Sequence, residues 1–166
     1  EAISESLVDR KKTDLGRRRR DALLKQLRER HPLSLPEGVV QQEAERMVQD
    51  QASQMARQGY DLNSAGIDWG AMVDQIRPMA VDRVHERLVL DAVAKSKELK
   101  LDEEKFEHFL AAAAADQQTS SLALRQRLDQ DGRLESLRAQ LLRDQTVAHL
   151  LGEEEASDED SAGEEE

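Results

Sequence analysis

Apolar residues in this chain recur every three to four positions and never form alternating runs, so the pattern predicts helices throughout and no strand. A first helix is expected from about Ile3 to Arg30, with sparse apolar positions at Leu7, Leu15, Leu23, Leu24 and Leu27 and a weak point at Gly16. At 1.5 Å per residue it would be about 40 Å long, which suits a spine. Pro32 ends it, because the residue before a proline is pushed out of the helical region. A second helix is expected to start at Ser34, whose hydroxyl can accept from the Glu37 amide while the Glu37 carboxylate returns to the Ser34 amide. Pro36 lacks only an amide that the first turn leaves unpaired. Val40, Ala44, Met47, Val48, Gln51 and Met55 then fall on one face, and the helix runs out near Gly59. The stretch Tyr60–Gly66 reads as a loop by its Asn, Ser and Gly content.

A third helix is expected from near Asp68 through Trp69, Met72, Val73 and Ile76, with Pro78 kinking or restarting it. Its periodicity continues through Met79, Val81, Val84, Leu88, Val89 and Val93 to about Leu99. Asp102 can cap a fourth helix, with Glu103 and Glu104 at its positive end. That helix carries Phe106, Phe109 and Leu110 into the run Ala111–Ala115, whose small side chains permit close helix approach. Thr119–Leu128 predicts a short fifth helix and Asp131-Gly132 a break. A sixth helix over Arg133–Leu151 is expected to bury Leu134, Leu137, Leu141, Ala148 and Leu151 and to stop at Gly152.

Composition sharpens this into an elongated all-α body with a thin core. The 166 residues include one Trp, one Tyr and two Phe, with 38% hydrophobic and 36% charged residues. With no Cys, disulfides and thiolate metal sites are excluded. No apolar run approaches the roughly 20 residues that cross a bilayer, and the opening EAISESLVDRKK lacks a signal-peptide pattern. These features fit a reducing cytoplasm. A start at Glu1, not Met, is what a piece of a longer protein would have.

Charge is polarised along the chain. Its net charge is −11, but Glu153–Glu166 holds nine acids and no base, leaving −2 for the rest. Arg10–Arg30 carries ten Lys/Arg against three acids. The acidic tail holds no apolar residue larger than Ala, so it is expected to be disordered and to add solubility or self-shielding. The run Arg17–Arg20 could grip phosphate, but no aromatic residues interleave with it as stacking platforms, and a solvated helix face pairing with its own acids is the favoured reading.

Candidate chemistry is thin. Phosphate loops, dinucleotide fingerprints and nucleophile elbows are absent. His31, His85, His108 and His149 share no ligand spacing, and Glu104 with His108 offers only two ligands on an exposed helix face. No catalytic residue, metal or cofactor is therefore assigned. Met47, Met55, Met72 and Met79 lie on the apolar stripes, and flexible Met suits surfaces that adapt to varied apolar partners. The amphipathic helices outnumber what so small a core can cover. That excess points to binding, not catalysis.

Three blocks carry a resemblance. LPEGVVQQEAERMVQDQ (Leu35–Gln51) is similar to a Pro-Glu-x-Leu-Val start and acid-rich helix. IRPMAVDRVHERLVLDAVAKSKELKLDEEKF (Ile76–Phe106) is similar to a Leu-Arg-Pro start, apolar helix and Glu-Leu-x-x-Asp-Glu-Glu turn. LRAQLLRDQTVAHLL (Leu137–Leu151) is similar to a terminal apolar helix. In this order and spacing they resemble the C-terminal domain of bacterial trigger factor. The resemblance implies an ATP-independent chaperone domain: a spine helix (residues 1–31), a first arm region (34–100), and a second arm with terminal helix (101–152). The arms would cradle unfolded or nascent polypeptides in the cytoplasm.

The family's docking signature, Gly-Phe-Arg-x-Gly-Lys-x-Pro, and its prolyl-isomerase domain do not occur in these residues. This segment alone is expected neither to reach the ribosome through that signature nor to isomerise proline. Ala111–Gln130 departs from the family in being Ala/Gln-rich. Apolar patterning, not the resemblance, nominates Met47, Met55, Met72, Ile76, Met79, Phe106 and Phe109 as polypeptide-binding residues. The alternatives are a basic-helix nucleic-acid or ribosomal-RNA module and a helical module that homodimerises through the same faces.

Overall fold

A computed structural model describes residues 2–60 and 66–152, with side chains from residue 11 onward except Lys12. Six helices and no strand occur among the described residues: α1 (Ala2–Arg30), α2 (Glu37–Arg57), α3 (Trp69–Ser96), α4 (Glu103–Asp116), α5 (Ser121–Gln130) and α6 (Leu134–Leu151). The all-α expectation holds. The expected tail and most of the expected 60–66 loop lie outside the described residues.

Helix boundaries follow local chemistry, with one instructive exception. Asp102 caps α4 by accepting from the amides of Glu104 and Lys105. Asp68 accepts from the Ala71 amide ahead of α3 at 3.0 Å, and Ser120 from the Ala123 amide at 3.2 Å. Thus α5 begins at Ser121, not Thr119. Gly152 ends α6 in the left-handed conformation, φ 71°, that glycine adopts without a Cβ clash. The Ser34–Glu37 box, however, does not form. The cap of α2 is Pro36 with no side-chain bond, and its carbonyl accepts from the amides of Val39 and Val40. Leu35 instead packs against the cluster that holds Val40, the N′–N4 spacing of a hydrophobic staple. Burial of that pair sets the register two residues later than the hydroxyl would.

Pro78 neither ends nor restarts α3, which runs through it and stops at Ser96, short of Leu99. On an exposed flank, a proline costs one backbone bond without disturbing the buried stripe Ala80–Val84.

The chain divides into two compact units, residues 24–89 and residues 1–23 with 90–166. In the 24–89 unit, Val40, Ala44 and Ala80 form the core, packed by Leu35, Met47, Val73 and Ile76. Ala44 and Ala80 are fully buried. Glu43 is 5% exposed and is held by Arg46 (2.7 Å), Arg83 (3.5 Å) and Arg87 (3.5 Å).

In the other unit, Phe106, Leu110, Ala114 and Leu124 form the core, with Leu128, Leu134, Leu137 and Leu141 packed on it. The residues expected to be buried on α6 are only half-buried; Thr146 and Val147 are its buried pair. Thr146 is accommodated because its hydroxyl donates to the Leu142 carbonyl at 2.7 Å. Gln145 fastens the turn before α4, accepting from the Asp102 amide and donating to the Lys100 carbonyl, each at 3.1 Å.

Candidate polypeptide-binding surfaces

On α3, Val73, Ala80 and Val84 point into the 24–89 core, and a second stripe runs along its flank at helical spacing: Trp69, Met72, Ile76 and Met79. Met72 is half-buried, Ile76 is half-buried against the core cluster, and Met79 is 61% exposed. Three nominated residues therefore share one ridge, and Trp69 extends it by one turn. The spacing Trp69–Met72 was the signal for this fourth member. Of the other α2 candidates, Met47 packs against the core cluster and Met55 is half-buried.

The periodicity that placed Val81 and Leu88 with Val84 and Val89 needs correction. Val84 and Val89 are buried, whereas Val81 and Leu88 are exposed, seven residues apart and so on one face. Helix α3 thus presents apolar side chains beyond the set its core uses. No periodicity argument separates the two sets, because one apolar residue at every turn fits both faces.

The nominated pair on α4 splits. Phe109 is 42% exposed and remains available. Phe106 is 0% exposed, and its nomination as a contact residue is corrected: it is the centre of a core. Two guanidinium groups close over its ring, Arg138 at 4.8 Å and Arg125 at 5.9 Å from the centroid. Each is anchored to α4 itself, Arg138 by Glu103 and Arg125 by Glu107. Leu122 on α5, absent from the sequence nomination, is 66% exposed.

Nothing in these surfaces assembles reactive groups. An open depression of about 570 Å³ is lined by Glu103, Glu104, Glu107, His108, Ala111 and Ser121. Its Glu103 and Glu107 are already ion-paired. No group of three or more metal-binding side chains occurs among the described residues. His85 Nε2 donates to the His31 carbonyl at 2.6 Å, a structural use of two histidines. Part of the basic run is also tied down, Arg20 to Asp144 at 2.5 Å and Arg19 to the Leu151 carbonyl at 3.3 Å. No helix among the described residues is long and apolar enough to cross a membrane.

Electrostatics shape the surroundings of these surfaces. Burial raises the Glu43 carboxyl, but the Arg46 hydrogen bond and the charges of Arg46, Arg83 and Arg87 outweigh it and hold the group below its ordinary value. Asp102 is likewise lowered, chiefly by the amide of Lys105.

The described residues define an all-α domain with apolar side chains exposed on α3, α4 and α5. The family model described as the C-terminus of bacterial trigger factor protein matches residues 1–152, and the chain belongs to this family. It is 37% identical over 109 residues to a trigger factor of Prochlorococcus marinus strain MIT 9303, covering 62% of this chain and 23% of that protein. It is 30% identical over 164 residues to a trigger factor of Synechococcus sp. strain CC9902, covering 93% of this chain and 37% of that protein. The matched chain thus spans 23% to 37% of the length of these relatives. Among solved structures, one on the domains of trigger factor from Thermotoga maritima has the same fold, with TM-score 0.55, 18% identity, and coverage of 81% of this chain and 80% of that one.

Proposed function

We propose that this chain holds unfolded or nascent polypeptides in the cytoplasm through its apolar helix faces, without ATP and without catalysing a reaction itself. Residues 1–31 serve as spine, and residues 34–100 and 101–152 as two arms. The family supports a chaperone role, and one observation carries the contact surface: α3 leaves Trp69, Met79, Val81 and Leu88 exposed beyond its own core face. Phe109 and Leu122 offer further apolar contacts on α4 and α5. Clients contribute apolar segments, and Met79 adapts to their varied shapes. Any approach to the ribosome through the family's docking signature belongs to residues outside this sequence.

The test is suppression of aggregation of a chemically denatured client at stoichiometric ratio. Full burial of a side chain such as Met or Leu contributes about 1.5–3 kcal/mol. A glutamate at Met79 or Phe109 removes that and adds a desolvation cost. Met79→Glu with Phe109→Glu is expected to weaken client binding about tenfold or more, with unchanged helical content. Equal protection by parent and variant chains sinks the reading.

A further inference from the structure

Glu43 receives more cations than its charge requires. Arg46 alone clasps the carboxylate with two hydrogen bonds, Nη2 to Oε1 at 2.7 Å and Nε to Oε2 at 3.3 Å. That bidentate pairing already neutralises the acid. Arg83 and Arg87 nevertheless approach the same two oxygens, each at 3.5 Å. Their side chains remain 52% and 37% exposed, whereas that of Glu43 is 5% exposed. Neither arginine makes another ion pair among the described residues. The acids beside them on α3, Asp82 and Glu86, are taken by Arg28, and Asp50 lies against Arg46 at 3.8 Å. Two acids against three arginines leave this cluster with a net positive charge, held in place by a carboxylate that is almost shut away from water.

Arg83 and Arg87 also continue the apolar ridge. Trp69, Met72, Ile76 and Met79 are followed at steps of four by Arg83 and then Arg87, along one flank of α3. We infer that these two arginines take an acidic side chain of a held polypeptide, so that the ridge selects clients in which a carboxylate closely follows an apolar run. The inference rests on the polypeptide-holding reading and adds a class of client to it. Arg83 and Arg87 lie about 6 and 12 Å beyond Met79 along the helix. An extended client advances about 3.3 Å per residue and turns alternate side chains to one face. Its acid therefore falls about two or four residues beyond the apolar residue seated at Met79. A guanidinium fork matches the two oxygens of a carboxylate. Glu43 is the positioning residue, because holding both forks in place lessens the freedom they lose on pairing.

The test is fluorescence anisotropy of labelled peptides titrated with the full 166-residue chain. Each peptide has an apolar run with Glu at the second and fourth positions beyond it, in either chain direction, and matched peptides carry Gln or Lys there. Glu is expected to bind about two- to fivefold more tightly than Gln, the range of a partly exposed ion pair, and Lys more weakly than both. Placing the acids about eight residues beyond the run, some 26 Å away, should remove the gain. So should about 1 M salt, where the Debye length is about 3 Å. In Arg83→Gln/Arg87→Gln the Glu and Gln peptides should bind alike, with the Gln peptide unaffected. Arg46 keeps Glu43 paired in this variant, and circular dichroism verifies its fold; if helix is lost, the spacing series on the parent chain still decides. Equal affinity of Glu and Gln peptides for the parent chain overturns the inference and leaves the polypeptide-holding reading standing. Binding of neither overturns both. A gain for Glu that persists at every spacing, or in a folded double variant, reflects general electrostatics and also overturns the inference.

Discussion

Glu43 illustrates the energetics at the scale of one residue. A carboxylate almost shut away from water is costly unless its oxygens are matched, and Arg46, Arg83 and Arg87 match them from α2 and α3. The three arginines stay partly in solvent, so most of the desolvation falls on the acid alone. Because its folded pKa lies below the ordinary value of 4.5, Glu43 stabilises the fold above that pH and loses the contribution as pH falls through the folded value. Glu43→Gln is expected to cost about 1–3 kcal/mol at pH 7, the range for losing a charged hydrogen-bond partner at a buried site. Urea unfolding at pH 7 and near pH 3 checks this. The gap between parent and variant should narrow on acidification, and a gap constant with pH would contradict the assignment. Phe106 makes the complementary point. Sequence marked it as a sticky aromatic, but the guanidinium lids supplied by α5 and α6 are tertiary facts that no local pattern encodes.

At the scale of elements, the endings of α3 and α4 share a geometry usually given to glycine. Glu98 (φ 54°) and Gln118 (φ 53°) are left-handed, with Leu99 and Thr119 donating back to Ala94 and Ala114, each at 2.9 Å. These are Schellman endings without their glycine. A Cβ in this conformation costs about 1–2 kcal/mol. Glu98→Gly and Gln118→Gly should each therefore raise stability by about 0.5–1 kcal/mol, after allowing for the extra freedom of glycine in the unfolded chain. Thermal unfolding midpoints decide it, and a fall at both sites would show that the Glu98 and Gln118 side chains contribute more than the strain removes. Starts and stops alike were legible where a single residue decides them. Asp102 read correctly as a cap because a carboxylate accepting nearby amides acts within three residues, and α3, expected from near Asp68, starts at Trp69 with the Asp68 carboxylate accepting from Ala71. Ser34 misled because Leu35 and Val40 gain burial only against α3, and that gain outweighed a local hydrogen bond. Likewise, six helices and their order were visible in the 3.6-residue period. The split of α3's apolar residues into buried Val84 and Val89 and exposed Val81 and Leu88 was not, since both sets satisfy that period.

For the molecule as a whole, two kinds of surface compete as explanations of binding, and their thermodynamics differ. The basic stretch Arg10–Arg30 would bind polyanions by releasing condensed counterions, so affinity would fall with salt at a slope of about −0.9 per phosphate contacted. Trp69, Met79, Val81 and Leu88 would bind apolar segments by removing surface from water, which leaves affinity almost indifferent to salt and gives a negative heat-capacity change. Ion pairing already occupies Arg20, and Arg19 is committed to the end of α6, so the apolar route has the larger unspent capacity. Titration calorimetry with a permanently unfolded client, over about 50–200 mM salt and several temperatures, is expected to show near-constant affinity and negative heat capacity. A steep salt slope with little heat-capacity change would move the binding site from the α3 ridge to α1. The ridge itself would then need another occupant, and the concentration dependence of light scattering would show whether that occupant is a second copy of the chain.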